Sequence, residues 1–455
     1  MRALAVIDGE HYASTVRDAL AELPYEFVGA FMAGGTEKLR GDSDYGVPLY
    51  DELEEALREL EPELVLDLSD EPVLGPAARF RVASRVLAAG IPYAGADFRL
   101  DPPELEAFPL PSLAVFATGK RVGKTAVSAH IGRLLSRDRD VIAVAMGRGG
   151  PATPEVAESP PSLDELLVLS RDRDVIAVAM GRGGPATPEV AESPPTLDEL
   201  LALSRAGSHA ASDYLEIAAV AGVLTIGCRR CGGGLAGAVA TSNVQAGAEL
   251  ALQRAADFVV FDGSGAAIPP VAAGKRVLVT STFDPPALVT GYLNAYRILL
   301  ADLVLVTMAD TSTPHEALAD AIREVKPEVT VIAVGFRPRP LAPIDGKRVA
   351  YFTTAAPSAH ERLAADLSAY GAEVVQVSGN LADRPALQRE LETVNTDVYL
   401  TEIKAAGIDV VAEAGAKRGV EIVLAANDLV HCPGQPELDP ALLALADVER
   451  AAVGT

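Results

Sequence analysis

Short apolar runs alternate with amphipathic stretches along almost the whole chain. Near the N-terminus, the apolar runs 2–8, 25–34 and 63–70 are typical of strands, and the amphipathic stretches 51–60 and 77–89 are typical of helices. Strands that alternate with helices in this way favour α/β layers around a largely parallel sheet. The pattern therefore predicts an α/β fold.

Two features divide this alternation into parts. The proline-rich stretch 101–111 (DPPELEAFPLP) indicates a linker, and from about residue 347 a new series of strands and helices begins. A chain of 455 residues is also long enough for about three domains. We expect an N-terminal α/β domain over 1–110, a central domain over 111–340 and a C-terminal α/β region over 341–455. Whether the last packs on the central domain stays open at this point.

One segment of the central domain occurs twice in tandem. Residues 135–168 recur as residues 169–202, and the two copies differ at only two positions. Such near-identity is typical of a recent in-frame duplication or of an assembly artefact, because solenoid repeats diverge more and come in larger numbers. A fold with one place for this strand must leave one copy out of its sheet. The sequence leaves open which copy that is.

A glycine-containing loop between a predicted strand and a predicted helix carries the clearest chemistry. The string TGKRVGKT matches the P-loop pattern, except that Thr118 replaces the first glycine. Such loops curl their N–H groups around phosphate oxygens at a helix N-terminus, and the lysine, here Lys124, reaches the β and γ phosphates. An ordinary strand-to-helix turn is the alternative, and the complete GKT ending weighs against it. The predicted ATP-binding residues are Thr118, Gly119, Lys120, Val122, Gly123, Lys124, Thr125 and Ala126.

A P-loop also needs a magnesium ion beside the nucleotide. The hydroxyl of Thr125 is the expected ligand from the loop, and Asp262, at the end of the apolar run in DFVVFDGSG, is the expected carboxylate. Aspartate is common in ordinary turns, so a polar strand end is the alternative for Asp262. The central domain is thus predicted to be a P-loop NTPase-type domain with a largely parallel sheet, with Mg²⁺ as cofactor and ATP as substrate.

Two further loops place arginines beside glycines. GRGGP occurs once in each repeat copy and sets Arg148 or Arg182 after an apolar strand, at the edge where open α/β sheets bind ligands. GCRRCGGGLAG sets Arg229 and Arg230 beside three glycines, which suits a guanidinium fork and a nest of N–H groups. Both strings are therefore candidate anion sites.

The remaining polar strings give weaker signals. AGSHAASDYLE offers Ser208 and His209 as phosphate donors, although helix capping by Ser208 is the alternative. Cys228 and Cys231 have CxxC spacing, but no second pair follows. Zinc binding and thioredoxin-like redox chemistry are therefore disfavoured.

Charge and cysteine content narrow the partners and the compartment. Sixty-three acidic residues against 39 basic ones give a net charge of −24, which disfavours nucleic-acid and anionic-membrane binding. Any anion site must therefore be a local concentration of cations and N–H groups. Three cysteines are too few for a disulfide framework, and the N-terminal apolar run is too short for a signal peptide. We expect a cytoplasmic protein.

Taken together, these strings resemble the cyclic 2,3-diphosphoglycerate synthetase family. The resemblance covers nearly the whole chain and rests on VIDGEHY, ATGKRVGKTAVSAHI, AMGRGGP, AGSHAASDYLE, GCRRCGGGLAG, FDGSGAAIPPV and TEIKAAGIDVV. It implies ATP-dependent closure of 2,3-diphosphoglycerate into its cyclic diphosphate through an intramolecular phosphoanhydride, with release of ADP and phosphate. The tandem duplication departs from the family, in which one copy is expected.

The resemblance also implies roles for individual residues. The expected catalytic residues are Lys124, Arg148, Arg182 and Asp262, of which only one of the two repeat arginines can act. The expected substrate-binding residues are Ser208, His209, Arg229, Arg230 and Lys404, the last of which is a solvated helix residue in the alternative interpretation. The expected partners are ATP and 2,3-diphosphoglycerate, with no nucleic acid and no membrane, and the expected assembly is a homodimer.

Two rival functions remain at the level of sequence. The P-loop string also resembles dethiobiotin synthetase, which suggests a ligase that activates a carboxylate, but that function gives the double-arginine string no clear purpose. A partner-regulated ATPase switch is the second rival. Such switches bind membranes or DNA, which the net charge disfavours.

Overall fold

The structure is a computed structural model, and its strands form three sheets in the part of the chain that it describes. Two are large, with six and 13 strands, and the third pairs the short strands Glu106–Ala107 and Val271–Ala272. No described helix is long and apolar enough to cross a membrane. The described residues are 1–35, 37, 44–147, 153–157, 217–218, 220–309, 315–402 and 407–453.

The N-terminal domain is built around β1, whose residues are all buried except the first. The strand order is β3-β2-β1-β4-β5-β6, and every pair is parallel except β5 with β6. The chain leaves β1 toward β2 and later returns to β4 on the other side. The carboxyl ends of β1 and β4 therefore form the switch point of this sheet. Its strands are β1 (Arg2–Ile7), β2 (Glu26–Met32), β3 (Leu49–Tyr50), β4 (Leu64–Asp67), β5 (Tyr93–Ala94) and β6 (Arg99–Leu100).

The central domain holds one half of the large sheet. The strand order is β10-β11-β9-β13-β8-β15-β16-β17, and all neighbours are parallel except β10 with β11. All six residues of β8 are buried, as expected for a central parallel strand covered on both faces. The strands are β7 (Glu106–Ala107), β8 (Ser112–Ala117), β9 (Val141–Gly147), β10 (Glu155–Ala157), β11 (Leu224–Cys231), β12 (Thr241–Ser242), β13 (Phe258–Asp262), β14 (Val271–Ala272), β15 (Lys275–Ser281), β16 (Leu303–Thr307) and β17 (Thr330–Pro340).

The first copy of the duplicated segment supplies a strand of this sheet. β9 comes from that copy, has all its residues buried, and pairs with β11 on one side and β13 on the other. Residues 169–202, the second copy, lie outside the described residues. The sequence left open which copy supplies this strand. In the structure it is the first copy, which directly follows the P-loop helix.

The C-terminal region continues the same sheet through β17. This strand has 11 residues, and its second half pairs antiparallel with β21, from Val334 opposite His431 to Pro340 opposite Ala425. The start of β21 is parallel to β20, so the carboxyl ends of β20 and β18 point back toward the carboxyl edge of the central sheet. The strands here are β18 (Arg348–Phe352), β19 (Glu373–Ser378), β20 (Val398–Glu402) and β21 (Glu421–His431), in the order β21-β20-β18-β19.

Helices cover both large sheets, and the last helix returns to the central domain. Leu438, Leu442 and Ala446 of that helix share a core with Leu113 and Val127. The described α-helices are Ala13–Glu22, Leu53–Leu60, Pro76–Ala88, Lys124–Leu135, Val244–Gln253, Pro286–Val289, Asn294–Leu300, Glu316–Val325, His360–Ser368, Arg384–Thr393, Ile408–Arg418 and Leu438–Val453, with 3-10 turns at Pro357–Ala359 and Asn380–Ala382.

Candidate functional site

The predicted phosphate-binding loop lies between β8 and the helix Lys124–Leu135. Gly123 is the residue before this helix and has a φ of +80°, a conformation that favours glycine. A methyl group at Gly123 would stand 2.3 Å from Cζ of Phe336, so the Phe336 ring lies directly against the end of the loop. In the sequence, Phe336 begins the string FRPRP, which follows an apolar run and suggests either an edge for a nucleotide base or phosphate, or a rigid loop.

The end of β13 meets the start of the P-loop helix. Asp262 is fully buried, and its carboxylate accepts hydrogen bonds from the Lys124 ammonium and from the Ser128 hydroxyl. Lys124 is 8% exposed. Lys124 and Asp262 are among the predicted site residues, whereas Ser128 is not. Ser128 lies four residues after Lys124 and therefore on the same face of the helix. That spacing is the signal that would have identified it.

Neighbouring strands hold the loop from both ends. The N–H of Thr118 donates to the carbonyl of Val279 at 3.1 Å, and the Thr118 and Thr280 hydroxyl oxygens are 3.0 Å apart. The hydroxyl of Thr307 donates to the carbonyl of Val122 at 2.7 Å. The loop is therefore fixed to β15 and β16. Of the other residues predicted to bind ATP, Gly119 and Lys120 lie in the loop, and Thr125 and Ala126 lie in the first turn of the helix.

The predicted arginine site contacts the loop that follows the buried carboxylate. Arg230 is near the end of β11, and its Nη2 donates to the carbonyl of Ser264 at 3.0 Å. Ser264 follows Asp262 by two residues, so this bond joins the arginine strand to the loop after β13. The backbone N–H of Arg229 donates to the side-chain oxygen of Asn243 at 2.7 Å, which fixes the end of the same strand.

The two cysteines of the CxxC string face different surroundings. Cys228 is buried beside Gly247, and burial raises the pKa of its thiol to about 12. Cys231 is exposed. Residues three apart on a strand point to opposite faces, which separates the two sulfur atoms. Among the described residues, no group of three or more His, Cys, Asp or Glu side chains is placed to hold a metal ion.

A buried carboxylate marks the switch point of the C-terminal sheet. Glu402 ends β20, is 6% exposed, and accepts bonds from the hydroxyl of Thr353 at 2.8 Å and from the N–H of Thr354 at 3.1 Å. Asn427 on β21 also reaches the Glu402 carboxylate, at 3.4 Å. Glu402 is not among the predicted site residues, although it is the second residue of TEIKAAGIDVV, the string that contains Lys404. This edge faces the P-loop side of the molecule, as the strand directions require.

Several predicted site residues cannot be placed. They lie outside the residues that the structure describes. These residues are Arg148, Arg182, Ser208, His209 and Lys404.

Comparison with protein families agrees with this geometry over all three regions. The model of the P-loop domain of cyclic 2,3-diphosphoglycerate synthetase matches residues 112–168 and 162–334. The two segments overlap, and each contains one copy of the duplicated segment. The models of the N-terminal and C-terminal domains of the same synthetase match residues 2–101 and 340–428.

Individual relatives match along nearly their whole length. A protein of Rubrobacter xylanophilus named cyclic 2,3-diphosphoglycerate synthetase is 46% identical, covering 98% of this chain and 97% of the relative. One of Methanothermobacter thermautotrophicus with the same name is 38% identical, covering 98% and 96%. Among solved structures, the ATP complex of LpxK from Aquifex aeolicus is 11% identical with a TM-score of 0.39, covering 76% of this chain and 90% of that one.

Proposed function

The chain belongs to the cyclic 2,3-diphosphoglycerate synthetase family, and we propose that it closes 2,3-diphosphoglycerate into its cyclic diphosphate with ATP as the energy source. The observation that carries the proposal is the bond between Arg230 and Ser264. It attaches a strand end with two arginines to the loop that begins at Asp262, beside Lys124. A cationic site for a second polyanion thus adjoins the nucleotide loop.

The reaction needs two in-line displacements at phosphorus. In the first, an oxygen of one substrate phosphate attacks the γ phosphorus of ATP, the bond from that phosphorus to the β,γ-bridging oxygen breaks, and ADP leaves. In the second, an oxygen of the other substrate phosphate attacks the phosphorus that now carries the transferred group. An intramolecular phosphoanhydride forms and inorganic phosphate leaves. Because both attacking oxygens are already anionic, positioning and charge neutralisation contribute most of the catalysis.

Lys124 and Asp262 exchange partners in this proposal. In the structure, the Lys124 ammonium is paired with the buried Asp262 carboxylate. The β and γ phosphates of ATP offer Lys124 a stronger acceptor, and its flexible stem allows the ammonium to reach them. Asp262 keeps its bond from the Ser128 hydroxyl and can then bind a cation. Lys124 would therefore serve both as the partner of Asp262 and as the group that neutralises the phosphates of ATP.

The oxygen donors around the loop fit a magnesium ion. Asp262 offers a carboxylate and Thr125 a hydroxyl, which are ligands that magnesium accepts when water and phosphate oxygens complete its shell. A magnesium ion bound there would neutralise negative charge on the β and γ phosphates. The protein contributes the buried position of Asp262, which excludes water from one side of the carboxylate.

The substrate end must hold two phosphates that repel each other. We assign Arg229 and Arg230 to this task, together with His209, Ser208 and one arginine of the GRGGP strings. A guanidinium holds a phosphate with two parallel N–H bonds, so a pair of arginines suits a diphosphate. Glu402 ends β20, at the edge of the C-terminal sheet that is directed toward the P-loop. Lys404 comes two residues later in the sequence, and we assign it to the same substrate.

Release of inorganic phosphate, followed together with ADP, tests the function. We expect ADP and inorganic phosphate in equal amounts with 2,3-diphosphoglycerate, and no inorganic phosphate above background with 3-phosphoglycerate, which lacks the second nucleophile. Lys124→Ala should abolish the release of both products. Equal phosphate release with the two compounds, or release with a simple carboxylate alone, would overturn the proposal. The homodimer and the cytoplasmic location stay predictions, and light scattering of the purified chain checks the first.

A further inference from the structure

Arg297 is a buried cation in the central domain that no sequence motif marked. It is 3% exposed, and its guanidinium spans three segments of backbone. Nε donates to the carbonyl of Ala266 at 2.9 Å, Nη1 to that of Leu293 at 2.9 Å, and Nη2 to that of Leu235 at 3.1 Å. Nη1 is also 3.3 Å from the side-chain oxygen of Asn294. One side chain thus fastens two loops to the helix that carries it.

The acceptors make this arrangement unusual. Buried cations normally pair with a carboxylate, because an isolated charge is costly to remove from water. Within the part of the chain that the structure describes, the guanidinium of Arg297 meets only carbonyl and amide oxygens. Burial lowers its pKa to about 10, which still leaves it protonated at neutral pH. The advantage of a guanidinium here is therefore its rigid plane with several N–H donors, which a lysine cannot supply.

The two loops that Arg297 fastens are the two loops of the proposed site. Leu235 lies in the glycine-rich segment that follows Arg230, and Ala266 lies in the segment that follows Asp262. A backbone bond from Ile268 to Gly237 at 2.9 Å links the same segments a second time. The bonds of Arg297 therefore set the spacing between the arginine strand and the buried carboxylate without reaching either.

We infer that Arg297 is a positioning residue, which holds the loops 232–237 and 263–267 in register so that substrate and nucleotide meet at a fixed distance. Its guanidinium does not touch substrate. The inference rests on the proposed function for the identity of the substrate. The spacing itself follows from the hydrogen bonds and is independent of the reaction.

Steady-state kinetics of Arg297→Ala and Arg297→Lys test this role. We expect the KM for 2,3-diphosphoglycerate to rise at least about tenfold in both variants, because several charge-assisted bonds are lost. The Kd of a fluorescent ATP analogue should change less than about twofold, because the P-loop is held by β15 and β16 instead. Free guanidinium at low concentration should restore part of the loss in Arg297→Ala, in which it can enter the vacated space.

Arg418→Ala is the matched control. Arg418 also donates to backbone carbonyls, including those of Leu391 at 2.8 Å and Val394 at 2.9 Å, but in the C-terminal region. It should lower the thermal midpoint without a change in the KM for substrate. If Arg297→Ala behaves in the same way, or if Arg297→Lys folds and keeps the wild-type KM, the positioning role is wrong.

Hydrogen exchange separates this inference from the proposed function. In Arg297→Ala, or in Arg297→Lys if the alanine variant does not fold, the amides of residues 232–237 should exchange faster while those of β15 keep their protection. Unchanged exchange in 232–237 would overturn the inference. If the wild-type chain fails to cyclise its substrate but the exchange pattern appears, the proposed function is wrong and the positioning role of Arg297 stands.

Discussion

Substituting Gly123 by alanine should disable the phosphate-binding loop for two separable reasons. The φ of +80° costs a residue with a Cβ about 1–2 kcal/mol. The new methyl would also lie 2.3 Å from Cζ and 2.7 Å from Cε2 of Phe336, and such overpacking typically costs about 1–3 kcal/mol. Together the effects amount to about 2–5 kcal/mol, which corresponds to a weakening of roughly 30-fold or more in the Kd for ATP if the loop must keep its conformation to bind.

A double-mutant cycle with Phe336→Ala separates the two costs. Removing the ring removes the overlap, so Gly123→Ala should cost only the backbone part, about 1–2 kcal/mol, in the Phe336→Ala background. The assay is the Kd of a fluorescent ATP analogue, with the urea midpoint of each variant as the control for folding. If Gly123→Ala weakens binding equally in both backgrounds, Phe336 does not rest on the loop and the described contact is wrong.

Three further predictions follow from the described residues. Deleting residues 169–202 should leave a chain with undiminished turnover and thermal midpoint, because β9 comes from the first copy; loss of folding would show that the second copy is needed. An aromatic disulfide reagent at pH 8 should titrate one thiol in the native protein and none in Cys231→Ser, because Cys228 and Cys432 are buried. Burial of Asp8 opposes its ionisation, but bonds from the Asp70 N–H and the His11 imidazole hold its pKa below the usual 3.8. The urea midpoint of Asp8→Asn should therefore lie below that of the wild type at neutral pH. The difference between the two midpoints should close as the pH falls below 3.8, and a difference that widens in acid would contradict the lowered pKa of Asp8.

The fold class could be predicted from the sequence because strands and helices leave local patterns of apolar and polar residues. Alternating apolar runs predicted parallel strands, and the prediction of an α/β fold with a P-loop domain is confirmed. The helix after the P-loop begins at Lys124, within the GKT ending of the loop string. The predicted linker contains β7, which pairs with β14, so this stretch is packed against the central domain rather than extended away from it.

Residues of the candidate site could be predicted from the sequence mainly where they lie in or next to a recognisable motif. Asp262 could be named because parallel strands bring their carboxyl ends to one edge. Phe336 belongs to FRPRP, for which the sequence left a phosphate edge and a rigid loop open. Glu402 lies within a quoted string, but its hydrogen-bond partners come from elsewhere in the chain, so the sequence did not indicate its role. Arg297 could not be named, because it acts through loop contacts distant in sequence. An arginine in a short helix is normally exposed, so nothing in the sequence around Arg297 indicates burial. The roles of the site residues stay predictions until variants are measured.

Phosphorus NMR of the purified chain with Mg-ATP and 2,3-diphosphoglycerate tests the cyclase function most directly. New diphosphate resonances should grow in step with ADP and inorganic phosphate, one of each per ring closed, and none of them should appear in Lys124→Ala. Consumption of ATP without these resonances would contradict the cyclase function, even though it would leave nucleotide binding by the P-loop intact.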